Sequence, residues 1–323
     1  VIQNYLRSLT FNFFIKMRQK KKPNLNGYLS PFMEGTIAHL QSLGKTRTSE
    51  TYQSALASFM RFRKGKDVLI SDIKDELMVG YEISMRASGL SPNTTSFYMR
   101  ILRAVYNRAV KEGLTPQQYP FKYVYTGVAK TRKRALDISS ISKLAEMNLN
   151  DDPSAALARD LFLFSFYTRG MSFVDMAYLQ KRDLSRGILT YRRRKTGQTL
   201  YIRWERCMDN IVQIYNDPSS PYLLPIIAYD GRDERRQYIN MSHNVNHSLK
   251  LIGKRLGFDV PLTMYVARHT WANVARQKQI PLSVISEGMG HTTEMTTRIY
   301  LSSLDTDIID RANRKILKSV LCM

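Results

Sequence analysis

The sequence has few of the residues on which secreted and zinc-stapled proteins depend. Its 323 residues include only two cysteines, Cys207 and Cys322, too few for a disulfide framework or a cysteine-rich zinc site. The longest apolar runs, such as Leu161–Phe166, fall far short of the about 20 residues that a membrane-spanning helix needs. The opening segment Val1–Met17 has no basic residues ahead of its apolar core and no small-residue cleavage site, so we do not expect a signal peptide. These absences predict a soluble, cytoplasmic protein.

Acidic residues are scarce as well. The chain has 27 Asp and Glu against 49 Lys and Arg, which gives a formal net charge of +22 and a sequence pI of about 10.0. A surface this basic repels itself unless it meets a polyanion. Nucleic acid is the first candidate partner, an anionic membrane surface is the second, and a merely basic structural protein is the remaining interpretation. With 43% hydrophobic and 24% charged residues, the composition is globular, not disordered.

The first part of the chain predicts a basic arm followed by a helical domain. Residues 1–27 end in a basic run, Arg18–Lys22, and form either a solvated tail or an arm that contacts DNA. Residues 28–115 predict a small bundle of four helices with basic outer faces. The Ser91-Pro92 pair marks the clearest helix start. Arg100 and Arg103, on the helix that follows, are candidate DNA contacts.

A basic linker and a second, larger domain follow. Prolines break helices in residues 116–136, and the run 130–134 adds three candidate DNA contacts, Arg132, Lys133 and Arg134. Residues 137–323 predict mainly helices around one β-hairpin, whose strands at 188–193 and 199–204 are joined through residues 195–198. The predicted fold class is therefore mainly α with a small β-sheet, an α+β second domain behind a helical first domain.

The residues that carry chemistry lie between Leu262 and Leu301. Arg268 is followed 23 residues later by His291, and Tyr300 follows after a further nine. Arginine offers a planar fork of donors that suits phosphate oxygens, and histidine offers a donor near neutral pH. Tyrosine offers a hydroxyl nucleophile that its surroundings must activate. Each residue alone is weak evidence, since the chain has 19 tyrosines, and only the joint spacing is informative.

This spacing resembles the signature of the tyrosine recombinase (phage integrase) family, over about residues 28–323. The overall style, including the run from Arg169 to Asp175, looks like integrases of Bacteroides-type mobile elements. The family motifs R-H-[ST]-[FW]-A, [LM]-G-H and a tyrosine nine residues after that histidine stand here as Arg268-His269-Thr270-Trp271-Ala272, Met289-Gly290-His291 and Tyr300.

The resemblance implies a fold and a mechanism. An N-terminal, SAM-like core-binding domain and a C-terminal catalytic domain would close around duplex DNA, without a metal or nucleotide cofactor. Tyr300 would attack the scissile phosphate, form a 3′-phosphotyrosyl link and release a 5′-hydroxyl. Arg268 and His291 would hold the non-bridging oxygens. Lys195 would protonate the leaving oxygen, or would contact only backbone phosphate together with its neighbours Arg192, Arg193 and Arg194.

The resemblance also implies partners. Double-stranded DNA with specific attachment or inverted-repeat sites is the first, and further copies of the chain in a tetrameric synapse are the second. In such a synapse the C-terminal segment Asp305–Met323 would be exchanged as a helix, or it would pack on its own domain. Accessory DNA-bending proteins are a third class of partner, and no membrane is expected. The protein would be bacterial and associated with the nucleoid when bound.

Two positions depart from the family pattern. Ser172 stands where a G-x-R-x-x-[ED] frame has arginine, and Arg169 lies three residues earlier. On a helix the two positions would share a face, so Arg169 would deliver the missing guanidinium, or else it is only a helix-end charge. Tyr265 stands where the family most often has His or Lys. Tyr265 and Ser172 are thus candidate catalytic or phosphate-contacting residues.

These departures keep two alternatives open: a catalytically impaired DNA-binding relative of the same fold, and a relaxing enzyme of the type IB topoisomerase kind. The pair His243 and His247 has the spacing of metal ligands on a helix, but without an evident third ligand we expect a solvated or packed pair and no metal site.

Overall fold

The computed structural model describes residues 27–129, 135–228, 231, 233–301, 313 and 316–317, and at positions 299 and 300 it describes the backbone alone. The chain divides into two compact units, residues 1–131 and 132–323. The predicted arm, the basic run 130–134 and most of the C-terminal segment lie outside the described residues. Within the described part of the chain, no helix combines the length and the apolar character needed to cross a membrane.

The first unit contains four α-helices in its described part, as the sequence predicts. Ser91 caps the fourth helix by accepting a hydrogen bond from the backbone of Thr94, and Pro92 occupies its first turn, where no backbone donor is required. The core between the helices is aromatic and includes Phe59, whose ring meets that of Tyr81 edge to face. The helices are α1 (Leu29–Ser42), α2 (Thr46–Phe62), α3 (Asp75–Ala87) and α4 (Pro92–Lys111).

Part of the predicted linker belongs to this first unit. Phe121 and Val124 are buried in its core, and the buried carboxylate of Glu82 accepts a hydrogen bond from the backbone of Tyr125. Since two large apolar side chains follow the prolines, the chain packs back onto the helices before it leaves the unit. The connection between the units is therefore shorter than the predicted span 116–136.

The second unit is a helical domain with one small sheet. Its sheet is antiparallel in the order β1-β2-β3, and Thr190 of the second strand pairs with Tyr201 of the third. This confirms the predicted hairpin. The described elements are α5 (Ile138–Glu146), α6 (Pro153–Tyr167), α7 (Phe173–Ala177), β1 (Leu184–Ser185), β2 (Ile188–Arg192), β3 (Thr199–Arg203), α8 (Arg206–Ile214), α9 (Glu234–Arg255), α10 (Met264–Gln277), α11 (Leu282–Gly288) and α12 (Glu294–Tyr300).

Two cores hold the second unit together. The larger core surrounds α6, which has buried side chains on all faces, including Leu161, Phe162 and Phe164. A helix that is apolar all round has to lie inside its domain, and α9 and α10 pack against it. A smaller core joins α10, α11 and the end of α12 through buried apolar residues: Ala272, Ala275, Ile285, Met289 and Leu301. The packing of these last three helices brings the distant family motifs together.

Candidate active site

The site begins with a tight turn between α6 and α7. After α6 the backbone of Arg169 and Gly170 turns left-handed, with φ of 61° and 72°. A Cβ at Gly170 would lie 2.7 Å from the Cα of Arg268, closer than real Cβ contacts allow. Only glycine permits both this backbone conformation and this approach. The turn therefore lies directly against α10 at the arginine of the first motif.

Arg268 is buried, with only 5% of its surface exposed. Its Nη1 donates to the Gly170 carbonyl at 2.6 Å, and its Nη2 donates to the Met289 carbonyl at 2.6 Å. The same Nη2 lies 2.9 Å from Nε2 of His291. One guanidinium thus joins three segments that are far apart in sequence: the turn after α6, helix α10 and the Met289–His291 turn.

These contacts define the protonation state of His291. Arginine only donates hydrogen bonds, so Nε2 of His291 accepts from Arg268 and the ring proton is on Nδ1. Nδ1 lies 2.8 Å from Oγ1 of Thr297 and donates to it. Burial, together with the charges of Arg268, Arg193 and Lys195, lowers the pKa of His291 to about 4. In the protein without DNA, His291 is therefore neutral at pH 7.

Thr297 connects this cluster to the predicted nucleophile. It is fully buried and lies on α12, three residues before Tyr300, which is the last residue of that helix. The Tyr300 side chain lies outside the described atoms. The sequence reasoning missed Thr297, although its place one helical turn before the tyrosine could have drawn attention to it.

Lys195 lies in the exposed turn between β2 and β3. It is close enough to His291 to contribute to the lowering of its pKa. Its neighbour Arg192 is exposed and donates to the Gly197 carbonyl at 2.8 Å. Arg194 is exposed, and its guanidinium stacks 3.7 Å from the ring centroid of Tyr178. These three cations remain available to an anionic partner.

Arg193 differs from its two arginine neighbours in the hairpin because it is buried, with only 6% of it exposed. Its Nη1 donates to the Gly290 carbonyl, and its Nε lies 3.8 Å from the buried carboxylate of Asp175. The reason is the strand alternation: Tyr191 and Arg193 face inward, while Arg192 and Arg194 face outward.

Ser172 and Arg169 lie between helices α6 and α7. Ser172 caps α7: its Oγ accepts from the backbone of Asp175 and donates to the Asp175 carboxylate at 2.6 Å. Because α6 ends at Tyr167, residues 169 and 172 do not share a helical face. The side chain of Arg169 instead lies beside Gly288, in a groove that Trp271 also lines.

Three further predicted residues lie on helices α10 and α4. Tyr265 is 55% exposed, and its ring meets that of His269, one helical turn later, edge to face. In the first unit Arg100 is exposed, while Arg103 donates to Thr126 at 3.1 Å. Among the described residues, no group of three or more His, Cys, Asp or Glu could hold a metal ion, and this includes His243 and His247.

Two family profiles match the chain. A phage integrase SAM-like domain matches residues 28–124, and the phage integrase family matches residues 180–307. Among curated proteins, tyrosine recombinase XerA of Pyrococcus furiosus is 24% identical over 277 residues, covering 84% of this chain and 89% of that protein. Tyrosine recombinase XerD of Rhizobium meliloti is 21% identical over 297 residues, covering 88% and 93%.

Solved structures share the fold. A lambda integrase dimer bound to a core site aligns with a TM-score of 0.65 at 16% identity, covering 84% of this chain and 95% of that one. The Tn1549 transposon integrase in complex with transposon right end DNA aligns with a TM-score of 0.65 at 15% identity, covering 89% and 98%. With both family profiles in the predicted order, the chain belongs to the phage integrase family, the tyrosine-type site-specific DNA recombinases.

Proposed function

We propose that this protein cuts and rejoins duplex DNA at specific sites with Tyr300 as its nucleophile. The observation that carries the proposal is the chain of hydrogen bonds from Arg268 through His291 to Thr297. Thr297 lies on the helix that ends at Tyr300. A phosphate bound by the guanidinium and the imidazole would therefore lie beside the helix that carries the tyrosine.

The proposed reaction exchanges one phosphate ester for another. The Tyr300 hydroxyl loses its proton to solvent, and its oxygen attacks phosphorus and forms a 3′-phosphotyrosyl bond, while the bond from phosphorus to the 5′-oxygen breaks. Lys195 gives a proton to that leaving oxygen, which becomes a 5′-hydroxyl. In the second step a 5′-hydroxyl from a partner duplex returns its proton to Lys195 as its oxygen attacks phosphorus, and the tyrosine leaves and regains a proton from solvent. The ester bond energy is conserved in the intermediate, so no ATP is consumed.

His291 changes its role when phosphate binds. In the free protein burial and the charges of three cations lower its pKa. A scissile phosphate adds negative charge at the same place, so we expect the pKa of His291 to rise. The protonated ring would keep its Nδ1 bond to Thr297, would no longer accept from Arg268 and would direct its Nε2–H at a non-bridging oxygen, where charge develops in the transition state.

Arginines and one lysine outside the cluster provide the proposed contacts to the rest of the DNA. Arg100 and Arg103 would contact backbone phosphates from the first unit, and Arg192 and Arg194 from the hairpin. The basic run Arg132, Lys133 and Arg134 would do the same, although it lies outside the described residues. We expect the bound DNA to contain attachment or inverted-repeat sites. We also expect accessory DNA-bending proteins to take part and the protein to associate with the nucleoid.

A groove on the second unit supports self-association. It encloses about 630 Å³ between β3, α10 and α11 and is lined in part by exposed apolar side chains, Tyr201, Ile280 and Val284. The C-terminal segment Asp305–Met323 carries apolar residues at helical spacing, and Ile316 and Leu317 are 61% and 47% exposed. We propose that this segment of one copy docks in the groove of the next copy in a tetramer. Truncation after residue 304 would then give complexes on DNA that do not pair.

The experiment that tests the function uses nicked duplex DNA with the end of the mobile element. The nick lets the strand fragment diffuse away after cleavage, so the covalent intermediate accumulates. We expect a protease-sensitive protein–DNA adduct that forms with EDTA present, and mass spectrometry that locates the DNA on Tyr300. A covalent link at another residue, or tight and specific binding without any adduct, would contradict the proposal. Relaxation of supercoiled DNA without a partner duplex would indicate the topoisomerase alternative instead.

A further inference from the structure

The site lacks an arginine at position 172, where Ser172 replaces the arginine of the family motif. The side chain of Ser172 caps α7 and bonds to Asp175, so it stays tied to that helix. The predicted substitute, Arg169, makes no side-chain hydrogen bond with the described residues and lies beside Gly288 and Trp271. A transferred phosphoryl group spreads negative charge over several oxygens, and one guanidinium neutralises only part of it.

Arg193 brings a second guanidinium to the cluster. Its Nη1 holds the Gly290 carbonyl, next to the Met289 carbonyl that Arg268 holds. The two arginines thus bind adjacent peptide units of the turn that carries His291. Both are more than nine-tenths buried, and both contribute to lowering the pKa of His291.

The Arg193 guanidinium is not saturated by the protein. Its Nε is buried without a hydrogen bond, although Asp175 lies 3.8 Å away. No hydrogen bond of its Nη2 occurs among the described residues. A buried donor without an acceptor is rare in folded proteins and calls for an explanation such as an absent ion. A phosphate oxygen is an acceptor of the charge and geometry that this fork prefers.

Asp175 orients the guanidinium of Arg193. Its carboxylate accepts from Ser172 Oγ and from the backbone of Arg194, so it joins the start of α7 to the hairpin next to Arg193. Gly290 completes the arrangement, because a Cβ there would lie 2.7 Å from Cδ of Arg193. The approach of the strand arginine to the histidine turn therefore requires glycine.

We propose that Arg193 is a catalytic residue, which neutralises the scissile phosphate together with Arg268 in place of the arginine that Ser172 replaces. The inference rests on the proposed function. The second guanidinium then comes from the residue directly after strand β2 and not from the turn before α7. Arg169 belongs to the neighbouring groove.

A structural role for Arg193 would also make its loss harmful, since it ties the hairpin to the histidine turn. The two roles differ in their dependence on the charge of the substrate. A methylphosphonate at the scissile position replaces one non-bridging oxygen by a methyl group and makes the linkage neutral. A residue that neutralises phosphate charge is no longer needed on that linkage, whereas a residue that holds the fold is needed on both.

The experiment measures adduct formation on nicked DNA with a normal phosphate and with each methylphosphonate isomer at the scissile position. Arg193→Gln is compared with wild type and with the matched control Arg169→Gln. We expect Arg193→Gln to lose about 100-fold or more on phosphate, the size seen when one transition-state donor is removed, and to recover most of this on one methylphosphonate isomer. Arg169→Gln should stay within a few-fold of wild type on both substrates.

Controls separate the ways in which this could fail. DNA affinity and thermal unfolding of each variant show whether it is folded, and Arg193→Lys provides a milder change if the glutamine variant is not. An equal loss on both substrates would overturn the inference in favour of a structural role, and selective recovery in Arg169→Gln would return the role to Arg169. Wild-type protein that forms no Tyr300 adduct on phosphate would contradict the proposed function itself, which is a different outcome.

Discussion

The two units of this recombinase differ in where they carry positive charge. In the described part of the first unit no lysine or arginine is buried, and most of its basic residues, such as Arg100, are exposed. The second unit buries two arginines, Arg193 and Arg268, beside a histidine. Its buried polar side chains also include Asp160, Asp175, Asn273 and Thr297.

This difference in burial indicates that arginine has two functions in this protein. Exposed cations act at long range, are screened by salt and contribute to binding through counterion release. Buried arginines act over a few ångströms in a medium of low dielectric, where their interactions with a reacting phosphate are far stronger. The same burial makes them structural, because their carbonyl and histidine partners depend on them. Substitutions in the first unit should therefore change affinity, and those in the second should change chemistry and stability.

The largest expected effect is the loss of the nucleophile. Tyr300→Phe removes one oxygen atom and should abolish the covalent adduct completely while it leaves DNA affinity within a few-fold of wild type, because binding depends on cations elsewhere. Adduct formation on nicked DNA and gel-shift titration measure the two properties. Tyr265→Phe is the matched control and should retain the adduct; residual covalent product in Tyr300→Phe would disprove the assignment.

The second largest effect is expected when a buried arginine, Arg268, is replaced instead of an exposed one. Arg268→Gln leaves the Gly170 and Met289 carbonyls without their charged donor. We expect a loss of about 10³-fold in single-turnover cleavage and of about 1–3 kcal/mol in the free energy of unfolding. Cleavage on nicked DNA and urea unfolding measure these changes. If Arg268→Gln were as stable and as active as wild type, burial would not distinguish the two units.

The corresponding change in the first unit should affect binding alone. Arg100→Gln should weaken DNA affinity to a similar degree on all sequences and should reduce the slope of log K against log salt by about one. Cleavage at saturating DNA should be unchanged, and so should the free energy of unfolding. Affinity titrations at several salt concentrations test this. A cleavage defect at saturating DNA would show that the first unit also acts in the chemical step.

The smallest effect concerns pH. The pKa of His291 is about 4 in the folded protein, below its value of about 6.5 in an unfolded chain. Between pH 6.5 and pH 4 the unfolded state binds a proton that the folded state does not, so stability falls as pH is lowered through this window. Above pH 6.5 His291 contributes no such change.

The size of this pH effect is modest because the ring is only half-buried. After a discount for solvent screening we expect about 1 kcal/mol, or about 2–4 °C in Tm. His291→Gln should make Tm less dependent on pH within the window, as calorimetry at several pH values would show. An unchanged acid dependence in that variant would assign the effect to other groups.

Local patterns predicted much of the fold. The cap at Ser91, the hairpin around Lys195 and the amphipathic helices all depend on residues that are close in sequence, and the structure confirms them. The expected helical face shared by residues 169 and 172 is wrong for a local reason, because the helix ends at Tyr167 and the backbone turns left-handed at Arg169. A non-glycine residue at positive φ is not evident from the sequence.

The sequence by itself determined the mainly helical fold class, the order of the two domains and the membership of the family, because periodicity and motif spacing are properties of the chain. Only the tertiary structure decided which cations are buried. Arg193 directly follows β2 and faces inward to the histidine turn, and Gly170 admits Arg268 at a distance that no Cβ would allow. Such close contacts join segments about 100 residues apart, and their distances arise from packing, which no single stretch of sequence contains.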